Sequence, residues 1–284
     1  FNLIIMNSLS FLARAKVNIG LKILRRREDG YHTISTLFQE MDFHDTIHIS
    51  MESSAFSLTT NSPSIPTDET NICYKAWKTL KDTYPKVGGI SIYIDKQIPV
   101  GSGLGGGSSN AAAVVKGLNK LYHIGLTKEN LNKLAVKIGS DVPFFICGGT
   151  QVGDGVGEKL TPIQQKIRGT YLLVVPSFTI STSWAYGQVK NSLENKNQTT
   201  NFADLLEREP IPFKLFENEF EDVVIPAYPE IGDIKSRMIA SGAVFASLSG
   251  SGSTVFGIFS DETLALEADR KFKPQYRTVL THPV

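Results

Sequence analysis

The sequence predicts an α+β fold, because strand and helix patterns alternate without the regular βαβ units of a doubly wound parallel sheet. Apolar residues at every second position across Ile90–Ile94 predict a strand, and apolar stretches at Val17–Leu24 and Thr46–Met51 predict two more. The first part of the chain is therefore expected to be rich in sheet. A glycine-dense segment, Gly148–Gly157, precedes a further strand pattern at Tyr171–Val175.

Helical patterns lie between these strands. After Thr70 or Asn71, either of which can cap a helix, apolar residues recur at helical spacing, namely Ile72, Ala76, Trp77 and Leu80. A second helix is expected to begin after Thr127 and to end at Gly139. Both helices follow from local spacing and caps alone.

The second half of the chain continues the alternation. Pro229 at a helix start and Gly242 just past the end define a helix that leads into a strand at Val244–Leu248. Before it, the polar stretch Asn191–Asn201 lacks apolar periodicity and is predicted to be an exposed loop.

The length of 284 residues suits two modest domains, each with its own core. We place a boundary near Gly157, which divides the chain into domains 1–157 and 158–284. The chain shows no internal repeat.

The charge balance points to small-molecule partners. The 29 Lys and Arg residues nearly cancel the 28 Asp and Glu residues, and no long run has one sign. Neither a nucleic-acid footprint nor a membrane-attracting patch is therefore expected.

Cysteine use favours a reducing cytoplasm. Cys73 and Cys147 are far apart and belong to no CxxC or Cys/His pattern, which argues against a disulfide framework or a structural zinc site. The apolar start Leu3–Met6 is shorter than the apolar region of a signal peptide, so no targeting segment is expected, and Met6 is a candidate natural start.

The strongest chemical signal is the glycine-rich stretch Pro99–Ala113, PVGSGLGGGSSNAAA, which follows the Ile90–Ile94 strand and precedes an alanine-rich helix. Glycine lacks a Cβ atom, so backbone N–H groups can approach a phosphate, and the positive end of a helix starting near Ser108 adds to the attraction. Ser108 and Ser109 can offer hydroxyls to phosphate or magnesium. The glycines of this predicted cradle are Gly101, Gly103, Gly105, Gly106 and Gly107.

This stretch has three other interpretations. A flexible loop between strand and helix is the simplest. A dinucleotide fingerprint requires an acidic residue about 20 positions later, and Leu121–Thr127 offers none. A Walker A loop requires Gly-Lys before Ser or Thr, whereas Gly107 is followed by Ser108, so a lysine would come from elsewhere, with Lys16 and Lys96 as candidates.

Five motifs together resemble the GHMP kinase superfamily, in the form that acts on a diphosphocytidyl substrate. The motifs are Ala15–Asn18 (AKVN), Asp29–His32 (DGYH), the glycine-rich stretch, Gly139–Phe145 (GSDVPFF) and Ser249–Thr254 (SGSGST). Their order matches the family, and they span most of the chain. The combination is far more specific than any one glycine loop.

The resemblance implies a two-domain fold, with an N-terminal ATP-binding α/β domain that contains a left-handed βαβ-type unit and a C-terminal ferredoxin-like α/β substrate domain. It implies an enzyme that uses ATP and Mg²⁺ to phosphorylate the 2-hydroxyl of 4-diphosphocytidyl-2-C-methyl-D-erythritol, a step of the non-mevalonate route to isoprenoid precursors. No acidic magnesium ligand is identified by position, so ATP is expected to carry most of the metal's coordination. A monomer or a homodimer is expected.

The resemblance also implies the catalytic pair. Asp141 matches the family's acidic residue and would accept or orient the proton of the acceptor hydroxyl, while Lys16 would lower that hydroxyl's pKa and stabilise charge during transfer. By themselves, Asp141 would be a turn or capping residue and Lys16 an exposed strand lysine.

Further residues are assigned to the two substrates by the same resemblance. The ATP-binding set comprises Asn71, Lys96, Pro99, Gly101, Ser102, Gly103, Leu104, Gly105, Gly106, Gly107, Ser108 and Ser109. The acceptor set comprises Asn18, Tyr31, His32, Thr182, Tyr186, Gly250, Ser251 and Gly252. Within it, Tyr31 and His32 would meet the cytosine, one ring stacking and the other forming hydrogen bonds.

Simpler interpretations of these residues stay open. Asn71 and Lys96 could be surface polar residues, and the helix that carries Thr182 and Tyr186 could instead face the core. At the level of function, the alternatives are a mevalonate or homoserine type of GHMP kinase and a catalytically silent nucleotide sensor on the same fold.

Overall fold

The computed structural model describes residues 7–53, 55–189 and 200–284. In its first half the elements are β1 (Ser8–Arg26), β2 (His32–Glu52), β3 (Phe56–Thr60), α1 (Ile72–Thr83), β4 (Gly89–Asp95), α2 (Gly106–Leu121), α3 (Lys128–Ile138) and α4 (Val142–Cys147). In its second half they are β5 (Thr150–Gly155), β6 (Lys159–Ile163), β7 (Thr170–Val175), α5 (Thr182–Gln188), α6 (Phe202–Leu206), a 3-10 turn (Phe213–Leu215), α7 (Glu221–Ala227), α8 (Pro229–Ala240), β8 (Phe245–Leu248), β9 (Val255–Phe259), α9 (Glu262–Phe272) and β10 (Arg277–Thr281).

The chain packs as two compact units. Among the described residues, unit 1 contains those up to Ala15, His44–Val100 and Gly105–Cys147, and unit 2 contains Lys16–Phe43, Gly101–Leu104 and those from Gly148 onward. These units are not the two consecutive segments predicted as domains, because the long strands β1 and β2 each contribute residues to both. A domain boundary near Gly157 stays a prediction.

Unit 1 is a sheet covered by helices. Thr46–Glu52 of β2 pairs antiparallel with β4, and β4 pairs parallel with β3. Because α1 connects these two neighbouring parallel strands, β3, α1 and β4 form a βαβ unit; its hand stays a prediction. A Cβ atom at Gly117 would lie 2.5 Å from Ile49 Cδ1, so this glycine lets α2 approach the sheet closely.

Unit 2 is built around a four-stranded antiparallel sheet in the order β10-β7-β9-β8. Helices lie between β7 and β8 and between β9 and β10, which is the βαββαβ order of a ferredoxin-like domain, as predicted. Leu172 and Val174 of β7 pack in one apolar cluster with Met238 of α8 and Phe272 of α9. In the same unit, Ile34–Gln39 of β2 pairs with β5.

The local predictions agree with these elements. The strand patterns at Val17–Leu24, Thr46–Met51, Ile90–Ile94 and Tyr171–Val175 lie within β1, β2, β4 and β7. Asn71, rather than Thr70, caps α1, since its side chain accepts from Cys73 N. Thr127 caps α3, and Gly139 ends it in an extended conformation.

Two predictions lie partly or wholly outside the described residues. Most of the predicted loop Asn191–Asn201 and the apolar start Leu3–Met6 belong to the parts that are not described. The strand predicted from Val244 begins one residue later, at Phe245. Within the described ranges, every helix is too short or too polar to span a membrane.

Candidate active site

Parts of three sequence motifs meet within unit 2. We call them the motif cluster, which consists of Lys16–Asn18, Ser102–Leu104 and Ser249–Thr254. Lys16 N donates to Leu104 O at 3.0 Å, and Thr254 N donates to Ser102 O at 3.1 Å. These segments are far apart in sequence, so only the fold brings them together.

Two glycines permit the close approach of these segments. A Cβ atom at Gly103 would lie 2.1 Å from Ser249 O, and Gly103 has a φ of +80°, which favours glycine. At Gly250, where φ is +58°, a Cβ atom would lie 3.2 Å from Asn18 Oδ1 and 3.5 Å from Lys16 Nζ. Gly103 is therefore explained by packing of backbone on backbone, and Gly250 lies directly beside the predicted catalytic lysine.

Lys16 is buried and oriented. Only 4% of its surface is exposed, its ammonium donates to Asn18 Oδ1, and Nζ lies 5.6 Å from the centre of the Phe38 ring. Asn18 Nδ2 donates to Thr36 Oγ1 at 2.8 Å, and that hydroxyl donates to Gly20 O at 2.7 Å. This chain of hydrogen bonds holds the ammonium in one place. The predicted contact of Asn18 with substrate stays a prediction.

Asp141 belongs to unit 1 and directly precedes α4. Its side chain is half-buried, while the neighbouring Val142, Pro143 and Phe144 are buried. Asp141 thus directly precedes a buried apolar run. Its catalytic role stays a prediction.

The glycine-rich stretch turns through residues with positive φ. Gly101, Gly103 and Gly105 have φ values of +65°, +80° and +72°, and Gly105 is the N-cap residue of α2. Backbone of this kind suits glycine and can direct N–H groups toward an anion.

The next two glycines have different surroundings. A Cβ atom at Gly106 would lie 2.9 Å from Ile98 Cγ2 and 3.0 Å from Lys96 Nζ, so Gly106 is required for packing. At Gly107, which is exposed, a Cβ atom would meet only Ile72 Cγ2, at 3.8 Å. Gly107 therefore has space around it that a ligand could fill.

Lys96, predicted to bind ATP, forms a buried ion pair in unit 1. Its Nζ lies 2.7 Å from Asp45 Oδ2, and it also donates to Ile98 O. Asp45 additionally accepts from Ile98 N and from Asn110 Nδ2 of α2. The Asp45 carboxylate thus connects Lys96 and Ile98, which precede the glycine-rich stretch, to helix α2. A contact between Lys96 and ATP stays a prediction.

Asn71 is committed to helix α1. Its Oδ1 accepts from Cys73 N at 2.8 Å, and its Nδ2 donates to Pro66 O at 2.7 Å. Asn71 also lines a cavity of about 400 Å³ that includes Thr70, Ile72 and Lys75. Its structural role as a cap is established by these contacts, whereas its role toward ATP stays a prediction.

The two rings predicted to contact the cytosine differ in exposure. Tyr31 is 64% exposed, whereas His32 is only 8% exposed and stacks on Tyr186 with 4.9 Å between ring centres. Tyr186 also contacts Phe220 edge to face at 4.8 Å. His32 and Tyr186, both assigned to the acceptor, are therefore neighbours within unit 2, and the Tyr31 ring is exposed; the contact of these residues with cytosine stays a prediction.

We call the rings of His32, Tyr186 and Phe220 the aromatic group. Thr182 connects it to the motif cluster. Its Oγ1 lies 2.9 Å from Ser251 Oγ, a distance that allows a hydrogen bond in either direction. Thr182 is the first residue of α5, which also carries Tyr186. Ala185 of α5 belongs to the apolar core cluster and Tyr186 packs against it, so the interpretation of α5 as a core-facing helix stays open and the substrate roles of Thr182 and Tyr186 stay predictions.

Sequence reasoning did not identify several residues that hold these segments. Asp45 and Asn218 are buried polar residues whose only sequence signal is a polar side chain within an otherwise structured stretch. Asn218 Nδ2 donates to Leu248 O at 2.7 Å and to Gly250 O at 2.8 Å. Because their partners lie far away in the sequence, no local pattern could have assigned them.

Two family models match parts of this chain. The model of the GHMP kinases N terminal domain matches residues 71–149, and that of the GHMP kinases C terminal domain matches residues 197–277. Similar folds at low identity include a homoserine kinase from Cytophaga hutchinsonii, with 18% identity and a TM-score of 0.75 over 100% of this chain and 96% of that one.

Nearer relatives share one name. A 4-diphosphocytidyl-2-C-methyl-D-erythritol kinase from Chlorobium luteolum is 40% identical over 98% of both chains, and one from Alkaliphilus oremlandii is 41% identical over 93% of this chain and 92% of its own. A crystal structure of a 4-(cytidine 5'-diphospho)-2C-methyl-D-erythritol kinase has a TM-score of 0.84 and 31% identity over 97% of this chain and 99% of that one. The chain belongs to the GHMP kinases and, among them, to the 4-diphosphocytidyl-2-C-methyl-D-erythritol kinase family.

Proposed function

We propose that this protein transfers the γ-phosphoryl group of ATP to the 2-hydroxyl of 4-diphosphocytidyl-2-C-methyl-D-erythritol, a step of the non-mevalonate route to isoprenoid precursors. The observation that carries the proposal is the motif cluster, in which the buried ammonium of Lys16 lies beside Gly250. Near-full-length relatives with 40% and 41% identity support the choice of substrate.

In the proposed reaction, Lys16 and Asp141 act on the acceptor hydroxyl. The ammonium of Lys16 stabilises negative charge as the hydroxyl oxygen attacks the γ-phosphorus, and Asp141 accepts or orients the hydroxyl proton. The bond between the γ-phosphorus and the bridging oxygen of ATP breaks, so ADP leaves with that oxygen. Lys16 suits this role because Asn18 fixes the position of its ammonium.

ATP would be held at the glycine-rich stretch. The backbone of Gly105 and Gly107, at the start of α2, offers N–H groups and the positive end of the helix to the phosphates. The hydroxyls of Ser108 and Ser109 are further donors. Mg²⁺ would enter with ATP and neutralise phosphate charge, held mainly by phosphate oxygens.

The cytidine part of the acceptor would bind at the aromatic group of unit 2. Tyr31 offers an exposed ring face for stacking, while His32, packed on Tyr186, offers a polar ring edge. The turn Gly250–Gly252 would direct N–H groups toward the acceptor diphosphate. A cytoplasmic enzyme, monomeric or homodimeric, fits these small-molecule substrates.

One assay tests this function. Purified protein receives ATP and Mg²⁺ with 4-diphosphocytidyl-2-C-methyl-D-erythritol, mevalonate or homoserine in parallel, and ADP release is measured. We expect ADP release only with the cytidine substrate. Turnover of mevalonate or homoserine would favour another GHMP kinase activity, and no turnover with any acceptor would favour a nucleotide sensor.

A further inference from the structure

The short segment Asn218–Phe220, directly before α7, contacts several parts of unit 2. Glu219 N donates to Leu21 O at 2.9 Å, and its carboxylate accepts from Ile23 N at 2.6 Å, so the segment is attached to β1. Phe220 packs edge to face on Tyr186. Asn218 directly precedes these two residues.

Both polar atoms of the Asn218 side chain form hydrogen bonds with backbone atoms. Its Nδ2 donates to Leu248 O at 2.7 Å and to Gly250 O at 2.8 Å, while its Oδ1 accepts from Phe220 N at 3.0 Å. The side chain is 2% exposed. One amide group therefore joins the segment before α7 to the last residue of β8, Leu248, and to Gly250 in the β8–β9 turn.

The position of Gly250 depends on such a restraint. Glycine has no side chain and adopts positive and negative φ values about equally. The φ of +58° at Gly250 is therefore not fixed by the residue itself. Yet Gly250 lies against Asn18 Oδ1 and Lys16 Nζ, closely enough that a Cβ atom would be 3.2 Å and 3.5 Å away. A shift of this turn by about 1 Å would change the surroundings of the ammonium, and such shifts cost catalysis heavily.

We propose that Asn218 is a positioning residue of this kinase, which acts through the Gly250 carbonyl to keep the β8–β9 turn in place beside Lys16 and Asn18. The inference rests on the proposed function, because it assigns the acceptor to this turn. Asn218 does not itself touch the reacting atoms. Its amide group holds the backbone of the turn that lies beside Lys16 and Asn18.

Asn218→Asp is the sharpest test, because it keeps the shape and the oxygen that accepts from Phe220 N but replaces the two donor hydrogens. A carboxylate oxygen would then face the carbonyl oxygens of Leu248 and Gly250, and the turn should move. We expect kcat/KM for the cytidine substrate to fall about tenfold to a hundredfold, while KM for ATP changes less than about threefold.

The matched control is Asn119→Asp. Asn119 joins the backbone of Leu126 in the same manner, with Nδ2 donating to Leu126 O at 3.1 Å and Oδ1 accepting from Leu126 N at 2.9 Å, but it lies in unit 1 and outside the proposed site. We expect this variant to lose stability in urea and to keep the acceptor kinetics of the original protein.

A pH profile separates positioning from general damage. A buried carboxyl that faces carbonyl oxygens has a raised pKa, and its protonated form regains one O–H donor. The activity of Asn218→Asp relative to the original protein should therefore rise as pH falls from about 8 to 6, whereas the ratio for Asn119→Asp should stay flat. If Asn218→Asp is unfolded at the assay temperature, Asn218→Ala removes the donors without adding a charge and should give the same selective loss for the acceptor.

Equal losses for ATP and acceptor, or unchanged acceptor kinetics in folded Asn218 variants, would overturn the proposal. These outcomes differ from failure of the proposed function, in which the original protein itself would not turn over the cytidine substrate.

Discussion

The ammonium of Lys96 lies 2.7 Å from a carboxylate oxygen of Asp45, and both side chains are buried in unit 1. Asp45 also accepts from Gln97 N at 2.7 Å and from Asn110 Nδ2 at 2.8 Å. A buried carboxylate needs several such donors to offset its loss of water. Lys96 is therefore part of the support of the glycine-rich stretch, whatever it contributes to ATP binding.

We expect Asp45→Asn to destabilise the protein by about 3 to 5 kcal/mol, because the Lys96 ammonium would be left buried without its counter-charge. The control is Asp82→Asn, which breaks the exposed pair between Lys78 and Asp82 and should leave the free energy of unfolding nearly unchanged. Urea unfolding measures both. Equal losses in the two variants would show that the buried pair contributes no more than the exposed one.

Two glycines of the glycine-rich stretch should differ in their effects on stability and on ATP affinity. Gly107→Ala adds a methyl group in open space on a helix, so we expect unchanged or slightly higher stability with an ATP affinity at least about tenfold weaker. Gly103→Ala should lower the unfolding temperature, because its Cβ atom would meet Ser249 O at 2.1 Å. Calorimetric ATP titration and thermal unfolding distinguish the two effects. An unchanged ATP affinity in Gly107→Ala would remove this residue from the phosphate site.

Asp141→Asn should lower kcat by about a hundredfold or more while ATP still binds, because the amide cannot accept the hydroxyl proton. Binding of ATP and rates with the cytidine substrate are measured on the same preparation. Asp82→Asn, the same change at an exposed position of α1, serves as the control and should leave kcat unaltered. Turnover of Asp141→Asn close to that of the original protein would disprove the assignment.

Tyr31→Ala and His32→Ala should act mainly on the acceptor. Loss of a stacking ring costs about 1 to 3 kcal/mol per base, so KM for the cytidine substrate should rise about tenfold to a hundredfold, while KM for ATP stays close to its original value. Because Tyr31 is 64% exposed and His32 stacks on Tyr186, only His32→Ala should also lower stability.

The two variants also differ in base selectivity. His32→Ala should reduce discrimination between cytidine and uridine substrates, since the two bases present opposite hydrogen-bonding groups to one polar partner. Steady-state kinetics with both acceptors measures this ratio. Equal effects of either variant on ATP and acceptor would move the cytidine site elsewhere.

The two cysteines should react at different rates. Burial, with a further contribution from the negative charge of Asp45, raises the pKa of the Cys73 thiol to about 12, whereas Cys147 is exposed. At pH 9 we expect iodoacetamide to modify Cys147 in the folded protein and Cys73 only in urea, because the thiolate is the nucleophile. Mass spectrometry of the modified protein checks this, with Cys147→Ser as the control that leaves no fast site. Rapid modification of Cys73 in the folded protein would contradict its burial.

The raised pKa also sets the sign of a stability effect. The unfolded thiol ionises near its ordinary pKa of 9.0, while the folded thiol stays protonated until about 12. Its contribution to stability is therefore complete below about pH 9 and is lost as pH rises from there toward 12.

Much of the fold was accessible from the sequence because its signals are local. Alternation at Ile90–Ile94 predicted β4, and the cap at Thr127 predicted the start of α3, since both depend on residues within a few positions of each other. The motifs with Lys16 and Asp141 were likewise visible as short runs and led to the right family. The order of strands in unit 2 followed only from the family resemblance.

By itself, then, the sequence determined the main strands and helices, the kinase family and the residues on which its chemistry is proposed to depend. Only the tertiary structure decided which of those residues are neighbours and what supports them. It paired Lys96 with Asp45, stacked His32 on Tyr186 and joined Asn218 to Gly250. These contacts connect residues separated by 32 to 154 positions, and a hydrogen bond or ring contact depends on distance in space, which no local pattern of residues encodes.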